Sequence, residues 1–590
     1  MVSSRAANRL ALVLISAALL LVPAVVGDFD AYQIALYLLL GIVTQGVALC
    51  WGNVGFLCLG QAVFFGLGAY LSGTLLRAAM QQPVMLALLP LCLLLPAAIA
   101  YLLARAVFGR KVDNGPFFSL ITLALAMLAS LLANRFSGLT GGFNGMVDIP
   151  DLPGTDRYAT LYYVIAVVSI GSTWIFCRLL RSPLGILWSA LEQNEERLQF
   201  FGFDTGRLKA IAFAIGAAAS GLAGLLYAPH QGIVTPSAIG IGMSTQFVIW
   251  AAIGGRRSPV GALAATVIIG LVSASLRDRY PFWEALMALI FIAAVLWFPQ
   301  GLSGAVAPWL RWPARWVRPS TSLTEQQAPA LSSGAPSGGD AVPHLQLQDV
   351  HVRRGAVRIL DGLALESRTR GICCVIGPNG AGKTSMFNAM SGRLTADRGE
   401  IWFNSQSIAR SPAWRVAQLR IGRKFQIPSV FPGLCVRHNL LIALWANRLS
   451  PRDYLRSAPL GWHSAFGKRL LSRLPLLQQR PELAAGSLSQ GARQMLEFAM
   501  VALMEPRLML LDEPCAGLSP AETQQLMEVV RWSVDHLGAS ALLIEHDMSA
   551  LEAIGGHVFV LHQGQLLAQG ALAQIKASPE VRKVYLGGRK

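Results

Sequence analysis

Long apolar runs fill roughly the first 300 residues of the chain, and only short ones punctuate the rest. A membrane-spanning helix needs about 20 apolar residues. Ten runs approach that length: 10–27, 31–50, 54–76, 84–104, 116–134, 159–179, 208–228, 244–256, 259–276 and 282–298. The eighth is short enough to be re-entrant. The first follows Arg5 and Arg9 and has the composition of a signal peptide. Further runs follow it at once, so it reads as an uncleaved span. From residue 345 the pattern changes. Leu345 to Val350 alternates as a strand. Residues 372–376, 508–511 and 541–544 are short apolar runs of buried-strand type, with helical stretches between them. Strands alternating with helices predict an α/β domain with a largely parallel sheet. The predicted fold is therefore multidomain. An all-α polytopic membrane domain of about ten helices covers 1–310, a basic juxtamembrane segment and flexible linker cover 311–343, and an α/β domain covers 344–590.

Charge supports this division. Cytoplasmic loops collect Lys and Arg. With the N-terminus placed inside, Arg105, Arg110, Lys111, Arg178, Arg181, Arg197, Arg207, Lys209, Arg256, Arg257, Arg311, Arg315 and Arg318 all fall inside. The outside loops hold only Arg77, Arg135, Arg157, Arg277 and Arg279. The formal net charge of +17 is then a consequence of topology. No Lys/Arg run interleaved with aromatics is present, so nucleic acid is not an expected partner; membrane lipid is. Residues 319–343 are rich in Pro, Ser, Gly and Ala, the composition of a flexible linker. The eight cysteines show neither disulfide-framework nor metal-ligand spacing.

One inside loop, 180–207, is long. It reads as a single amphipathic helix from Leu184 to Phe201, ending at Gly202, with Glu192, Glu195 and Glu196 in its core. It is either a solvated surface helix or a coupling helix that docks on the α/β domain. The second reading is preferred, because something must transmit force into the membrane half.

The α/β half carries the chemistry. Gly377-Pro378-Asn379-Gly380-Ala381-Gly382-Lys383-Thr384 is a complete phosphate-binding loop, followed by Ser385, between a short strand and a helix. Glycines admit close approach of backbone N–H groups to phosphate, and the helix N-terminus adds partial positive charge. Lys383 is expected on the β- and γ-phosphates of ATP and Thr384 on Mg²⁺. Leu508 to Leu511 is an apolar strand ending in two acids. Asp512 is expected to hold Mg²⁺, and Glu513 to orient and deprotonate the attacking water. His546, after the next strand, is expected at the γ-phosphate.

These motifs bring a resemblance into view. Leu488-Ser-Gln-Gly-Ala492 is similar to the signature motif of ATP-binding cassette (ABC) proteins, Gln426 in Arg423-Lys-Phe-Gln-Ile-Pro428 resembles their Q-loop, and Ala516-Gly-Leu-Ser-Pro520 resembles the loop after the acids. Within cassettes, Gly422 to Gln426, Ile544 to Met548 and Pro579 to Gly587 look like the ATPases of the branched-chain amino acid and urea/short-amide uptake family. Leu59 to Tyr70, Thr140-Gly-Gly-Phe-Asn-Gly145, Arg181 to Gly185 and Phe298 to Leu302 are similar to its permeases, and Gly232 to Pro236 and Val248 to Arg256 lean toward the urea branch.

The resemblance implies a natural fusion of permease and ATPase in an ABC importer of the bacterial inner membrane, with the ATPase cytoplasmic. It implies ATP and Mg²⁺ as cofactors and Gln426 as a metal and water contact. It also implies that Ser489, Gln490 and Gly491 meet ATP held by an opposing cassette. The expected partners are a second permease, a second ABC ATPase and a periplasmic solute-binding protein. The cargo is a branched-chain amino acid or a related small polar solute, with urea and short amides slightly favoured. Such a path needs a few polar groups among apolar walls. Gln45, Asn53, Gln61, Thr122 and Gln246 are candidates, each also explicable as a helix-packing hydrogen bond. Departures from the cassette pattern are Gln490 and Ala492 in the signature, Arg353, Arg354 and Val357 where an aromatic usually stacks on adenine, and Ser519 where many cassettes have Asp. The signature departure puts this chain's contribution to the opposing site in question and suggests two unequal ATP sites. An exporter half-transporter and a membrane-anchored non-transporting ATPase are the alternatives. About ten short spans, rather than six long ones or a single one, weigh against both.

Overall fold

The computed structural model describes residues 19–109, 115–158, 160–277, 279–297, 301, 303–304, 344–368, 370–450, 452–455, 464–545 and 556–586. The chain forms two compact units, and they are not simply its two halves. One unit is Met1–Trp188 with Gly206–Thr324; the other is Ser189–Thr205 with Glu325–Lys590.

The first unit is helical: α1 (Asp28–Ala48), α2 (Gln61–Ala79), α3 (Leu91–Phe108), α4 (Gly115–Arg135), α5 (Thr160–Arg181), α6 (Pro183–Gln193, which crosses into the second unit), α8 (Thr205–Gln231), α9 (Ile241–Gly254), α10 (Pro259–Arg277) and α11 (Trp283–Trp297). The helix α7 (Glu195–Gln199) belongs to the second unit. Among the described residues, seven helices are long and apolar enough to cross a membrane, against about ten expected runs. The difference has simple sources. Half of the expected span 10–27 lies outside the described residues, and α9 and α11 have only 14 and 15 residues. The α1 span extends through a π-helical turn, Leu49–Val54, closed by Gly55 in the left-handed region.

Apolar composition alone does not say which spans form the interior. Of the most apolar stretch of α1 with its π turn, 78% is buried, against 17% for Pro83–Phe108 and 22% for α4. Leu94, Leu102, Leu120 and Leu131 on α3 and α4 point outward. The interior helices meet through small residues, which let backbones approach closely. At Gly68 on α2 an added Cβ would lie 2.5 Å from the carbonyl oxygen of Gly221 on α8.

The expected outside loop 135–158 is not irregular throughout. Its Gly-rich turn folds back so that Met146 and Val234 exchange backbone hydrogen bonds of 2.8 and 3.0 Å. Two motifs far apart in sequence, Thr140–Gly145 and Gly232–Pro236, are thereby joined.

The second unit holds two sheets. Strands β1 (Leu345–Arg354), β2 (Val357–Ser367), β4 (Arg398–Phe403) and β5 (Gln406–Ser407) make an antiparallel sheet in the order β2-β1-β4-β5. Strands β3 (Gly371–Ile376), β6 (Ile421–Lys424), β7 (Leu508–Asp512), β8 (Ser540–Ile544), β9 (His557–His562) and β10 (Gln565–Ala571) make the second sheet, in the order β10-β9-β3-β8-β7-β6. All its pairings are parallel except β9 with β10. Its helices include α12 (Lys383–Met390), α13 (Val436–Trp445), α14 (Gln490–Leu503) and α15 (Pro520–Leu537). Val375, Phe387, Ile401, Leu510, Leu542 and Phe559 lie in one buried cluster that the two sheets share. The cysteines are all free, and Cys373 and Cys374 are buried in β3.

The glycine contact gives a test. Gly68→Leu should destabilise the chain by about 1–3 kcal/mol through overpacking. Gly171→Ala, at a half-buried mid-helix position with nothing within 4 Å of the new Cβ, should instead stabilise by about 0.5–1 kcal/mol through helix propensity. Thermal unfolding in detergent checks this; equal shifts for the two variants would mean the α2–α8 approach is not tight.

Candidate functional site: a phosphate loop and the acids beside it

Parallel strands bring their carboxyl ends to one edge of a sheet. The sequence after β3 is the phosphate loop, and β7 ends in the two acids, with β8 between them. Gly382 caps α12 with φ of 97°, a left-handed conformation that favours glycine. A Cβ there would also lie 2.9 Å from the carbonyl oxygen of Ile359. Lys383 is buried and folds back over the loop, its Nζ donating to the carbonyl oxygens of Gly377 at 2.8 Å and Pro378 at 3.1 Å. Burial pushes its ammonium below the usual lysine range, against the pull of Glu513 and Asp512. The lysine thus faces both acids and is held by weak neutral acceptors that an anion can replace.

Asp512 is 1% exposed. Burial pushes its carboxyl above the usual range, while Arg423 and the Thr384 hydroxyl oppose that. Its Oδ2 accepts from Arg423 Nη2 at 3.3 Å, and its Oδ1 is buried with no hydrogen-bond partner. An orphaned carboxylate oxygen beside a threonine hydroxyl is a donor set that suits a hard divalent cation. Glu513 has φ of 43°, rare for a side-chain-bearing residue, and its N–H donates to the carbonyl oxygen of Ile544 at 2.9 Å. Strain of this kind clusters at functional sites. Gln426 Nε2 donates to Glu513 Oε2 at 2.9 Å, so the expected Q-loop and base positions meet in space.

The signature residues sit on another element. Ser489 caps α14, its Oγ accepting from Ala492 N at 3.2 Å. Gln490 lies against Gly517, and Gly491 against Glu522. Ser519, which departs from the usual Asp, caps α15 in a capping box with Glu522. His546 lies outside the described residues.

The five path candidates go to different neighbours. Gln45 is buried; its Nε2 donates to Thr173 Oγ1 at 2.6 Å and its Oε1 accepts from Ser172 Oγ at 2.7 Å. Gln61 Nε2 donates to Ser220 Oγ at 2.8 Å, and its buried Oε1 has no partner. Asn53 Nδ2 donates to the carbonyl oxygen of Ala48 at 3.3 Å, and Gln246 is exposed. Thr122 accepts from Leu59 N and donates to its own helix.

The 189–205 segment differs from the single expected helix. It breaks at Asn194 into α6 and α7, because Asn194 turns to cap α7, its Oδ1 accepting from Arg197 N at 2.9 Å. Its Nδ2 donates to Ser429 Oγ at 3.2 Å. Gln193 Oε1 accepts from Gly433 N at 2.6 Å, and Gln418 Nε2 donates to the carbonyl oxygen of Gly202 at 2.9 Å. Of the expected acids, Glu196 pairs with Arg393 at 2.9 Å, both side chains well exposed. An exposed pair contributes little, about 0–1 kcal/mol. The deepest contact is one that sequence reasoning missed. Arg197 is 1% exposed, 3.4 Å from Glu497 Oε1, and its Nη1 donates to the carbonyl oxygen of Arg423 at 2.8 Å. Its guanidinium also lies over Phe201 and Phe425, 4.7 and 5.5 Å from the ring centroids. Burial lowers its affinity for the proton, against the pull of Glu497. The available signal was Glu497 itself, a charge among apolar neighbours on α14.

Residues 31–297 match the family described as "Branched-chain amino acid transport system / permease component", and residues 360–516 match "ABC transporter". The high-affinity branched-chain amino acid transport ATP-binding protein LivG of Salmonella typhimurium is 32% identical over 253 residues, 42% of this chain and 98% of that one. The corresponding protein BraF of Pseudomonas aeruginosa is 32% identical over 254 residues, 42% of this chain and 98% of that one. The lipopolysaccharide export system ATP-binding protein LptB of Acidithiobacillus ferridurans is 33% identical over 235 residues, 40% of this chain and 92% of that one. A solved nucleotide-free ATP-binding cassette aligns with a TM-score of 0.37 at 25% identity, over 41% of this chain and 98% of that one. The apolar helices and the acid-flanked phosphate loop thus have one explanation: the chain belongs to the ABC transporter family, as a branched-chain amino acid-type permease component fused to an ATPase cassette whose ATP hydrolysis is coupled to transport.

Proposed function

We propose that this chain is the permease–ATPase component of an importer that takes up branched-chain amino acids or a related small polar solute, with urea and short amides slightly favoured. The carrying observation is that residues 189–205, from the loop between two membrane helices, belong to the compact unit of the cassette. The same segment runs on in sequence into α6 on one side and α8 on the other, which gives nucleotide-driven movement a covalent route into the membrane half. Direction of transport rests on the permease half, since the cassette is as similar to an export ATPase as to import ATPases.

In this reading Gly377 to Gly382 cradle the phosphates with backbone N–H groups, and Lys383 exchanges its carbonyl acceptors for phosphate oxygens. Thr384, Asp512 and Gln426 would hold Mg²⁺, which neutralises charge developing on the phosphoryl oxygens. Glu513, oriented by Gln426, takes the proton of the attacking water, and His546 contacts the γ-phosphate. Ser489, Gln490 and Gly491 are presented to an opposing cassette. Glu192, Glu195 and Glu196 belong to the coupling segment, and Gln45, Asn53, Gln61 and Gln246 to the solute path. A second permease, a second cassette and a periplasmic binding protein complete the system in the bacterial inner membrane.

Glu513→Gln should retain ATP binding and lose turnover by about 10²-fold or more; single-turnover hydrolysis checks it, and near-normal turnover would remove Glu513 as the base. Reversing the charges of Glu192, Glu195 and Glu196 together should leave ATP hydrolysis running while uptake falls; unchanged uptake would take the coupling role from these acids. Vesicles carrying the full assembly and its binding protein should accumulate labelled leucine or urea on ATP addition, with competition by unlabelled leucine, urea and short amides identifying the cargo. Nucleotide-driven efflux instead would favour the exporter reading.

A further inference from the structure

Arg423 faces two ways. Its carbonyl oxygen accepts from Arg197 of the 189–205 segment at 2.8 Å. Its guanidinium donates from Nη2 to Asn388 Oδ1 at 3.0 Å, on α12 just beyond the phosphate loop, and to Asp512 Oδ2 at 3.3 Å. The side chain is 1% exposed and stacks over Phe387 and Phe425, 5.1 and 5.4 Å from their centroids. One residue therefore touches the membrane loop with its main chain and the metal-type acid with its side chain.

Its surroundings leave it little freedom. Lys424, the next residue, is 0% exposed and 3.7 Å from Glu497 Oε2, and Phe425 N donates to Glu497 Oε1 at 3.2 Å. Arg197 lies on the same carboxylate. Residues 423–425 are thus clamped between Glu497 and Arg197, and Gln426 follows directly. If Arg197 leaves, Glu497 keeps Lys424 as its counter-ion, while the carbonyl of Arg423 loses its buried donor. β6 then loses a buried contact at Arg423, whose main chain pairs with Leu510 of β7 and whose side chain reaches Asp512 two residues further on.

We propose that Arg423 is a positioning residue that sets the cation affinity of the ATP site according to whether Arg197 is seated on its carbonyl. Linkage makes the effect reciprocal, so cation and nucleotide binding tighten the hold on the 189–205 segment. This goes one step beyond the proposed ATP site and rests on it. It names the route by which the membrane loop reaches the chemistry, through the Asp512 carboxylate.

The test uses the full transporter with its partner subunits and reads binding rather than turnover. Mn²⁺ is titrated in the presence of a non-hydrolysable ATP analogue, and the bound ion is followed by EPR. The wild-type assembly should bind Mn²⁺ saturably and only with nucleotide; failure of that would overturn the ATP-site reading itself. Arg197→Met should weaken Mn²⁺ binding roughly 5-fold or more, the lower end of usual coupling. Gln418→Ala loosens the same segment at Gly202 without touching Arg423, and should stay within about 2-fold of wild type. Mn²⁺ affinity unchanged in Arg197→Met overturns the linkage, and equal weakening in both variants overturns the route through Arg423. Should Arg197→Met not assemble, Arg423→Lys decides in the same assay. Lysine keeps the charge but ends one bond short of Nη2 and lacks the planar guanidinium that stacks on Phe387 and Phe425, so roughly 5-fold weakening is again expected, and unchanged affinity overturns the proposal.

Discussion

A charge taken out of water has to be paired, and Glu497 is the place where this protein meets that demand. Its carboxylate lies on α14 among Leu496, Phe498 and other core residues and is 0% exposed. It is met by Lys424 from β6 and by Arg197 from a loop between two membrane helices. Such a buried cluster is a poor source of net stability, but leaving the carboxylate with no counter-ion at all would cost about 3–5 kcal/mol. The consequence is specificity of placement. The 189–205 segment has one seat in which Arg197 finds a carboxylate, a carbonyl and two aromatic faces together. Exposed acids such as Glu196 then adjust the fit at little energetic consequence.

The ATP site depends on a second arrangement, the shared edge of the parallel strands. Because β3, β8 and β7 run in the same direction, the residues after β3 and those ending β7 arrive side by side although about 130 residues separate them. The backbone then does what side chains cannot. Gly382 takes a left-handed conformation to start α12, and Glu513 is held at φ of 43° where its carboxylate meets Gln426. The seat and the site share residues 423–426, a run of four.

Legibility followed locality. The phosphate loop occupies eight consecutive residues, so its chemistry needs no knowledge of the fold. The acids end an apolar strand, and the apolar runs announce spans by length alone. What failed to show in sequence was decided by distant partners. Asn194 splits the expected helix because its amide serves two partners at once, Oδ1 accepting from Arg197 N at the start of α7 and Nδ2 donating to Ser429 Oγ. Met146, just after the Gly-rich turn at 140–145, pairs with Val234, 88 positions on in the chain. The partners of the Gln45 amide, Ser172 and Thr173 on α5, lie more than 120 residues away along the chain.

Sequence by itself determined that this chain is a set of apolar helices followed by an ATP-hydrolysing α/β domain, since composition and contiguous motifs are properties of neighbours along the chain. It also determined which residues carry charge. Only the tertiary structure decided which of those charges are buried, which glycines are crossing points, and that a stretch of the membrane half folds as part of the cassette. The reason is that burial and pairing are set by residues hundreds of positions away, and a charged side chain reads the same in sequence whether it ends in water or against Glu497.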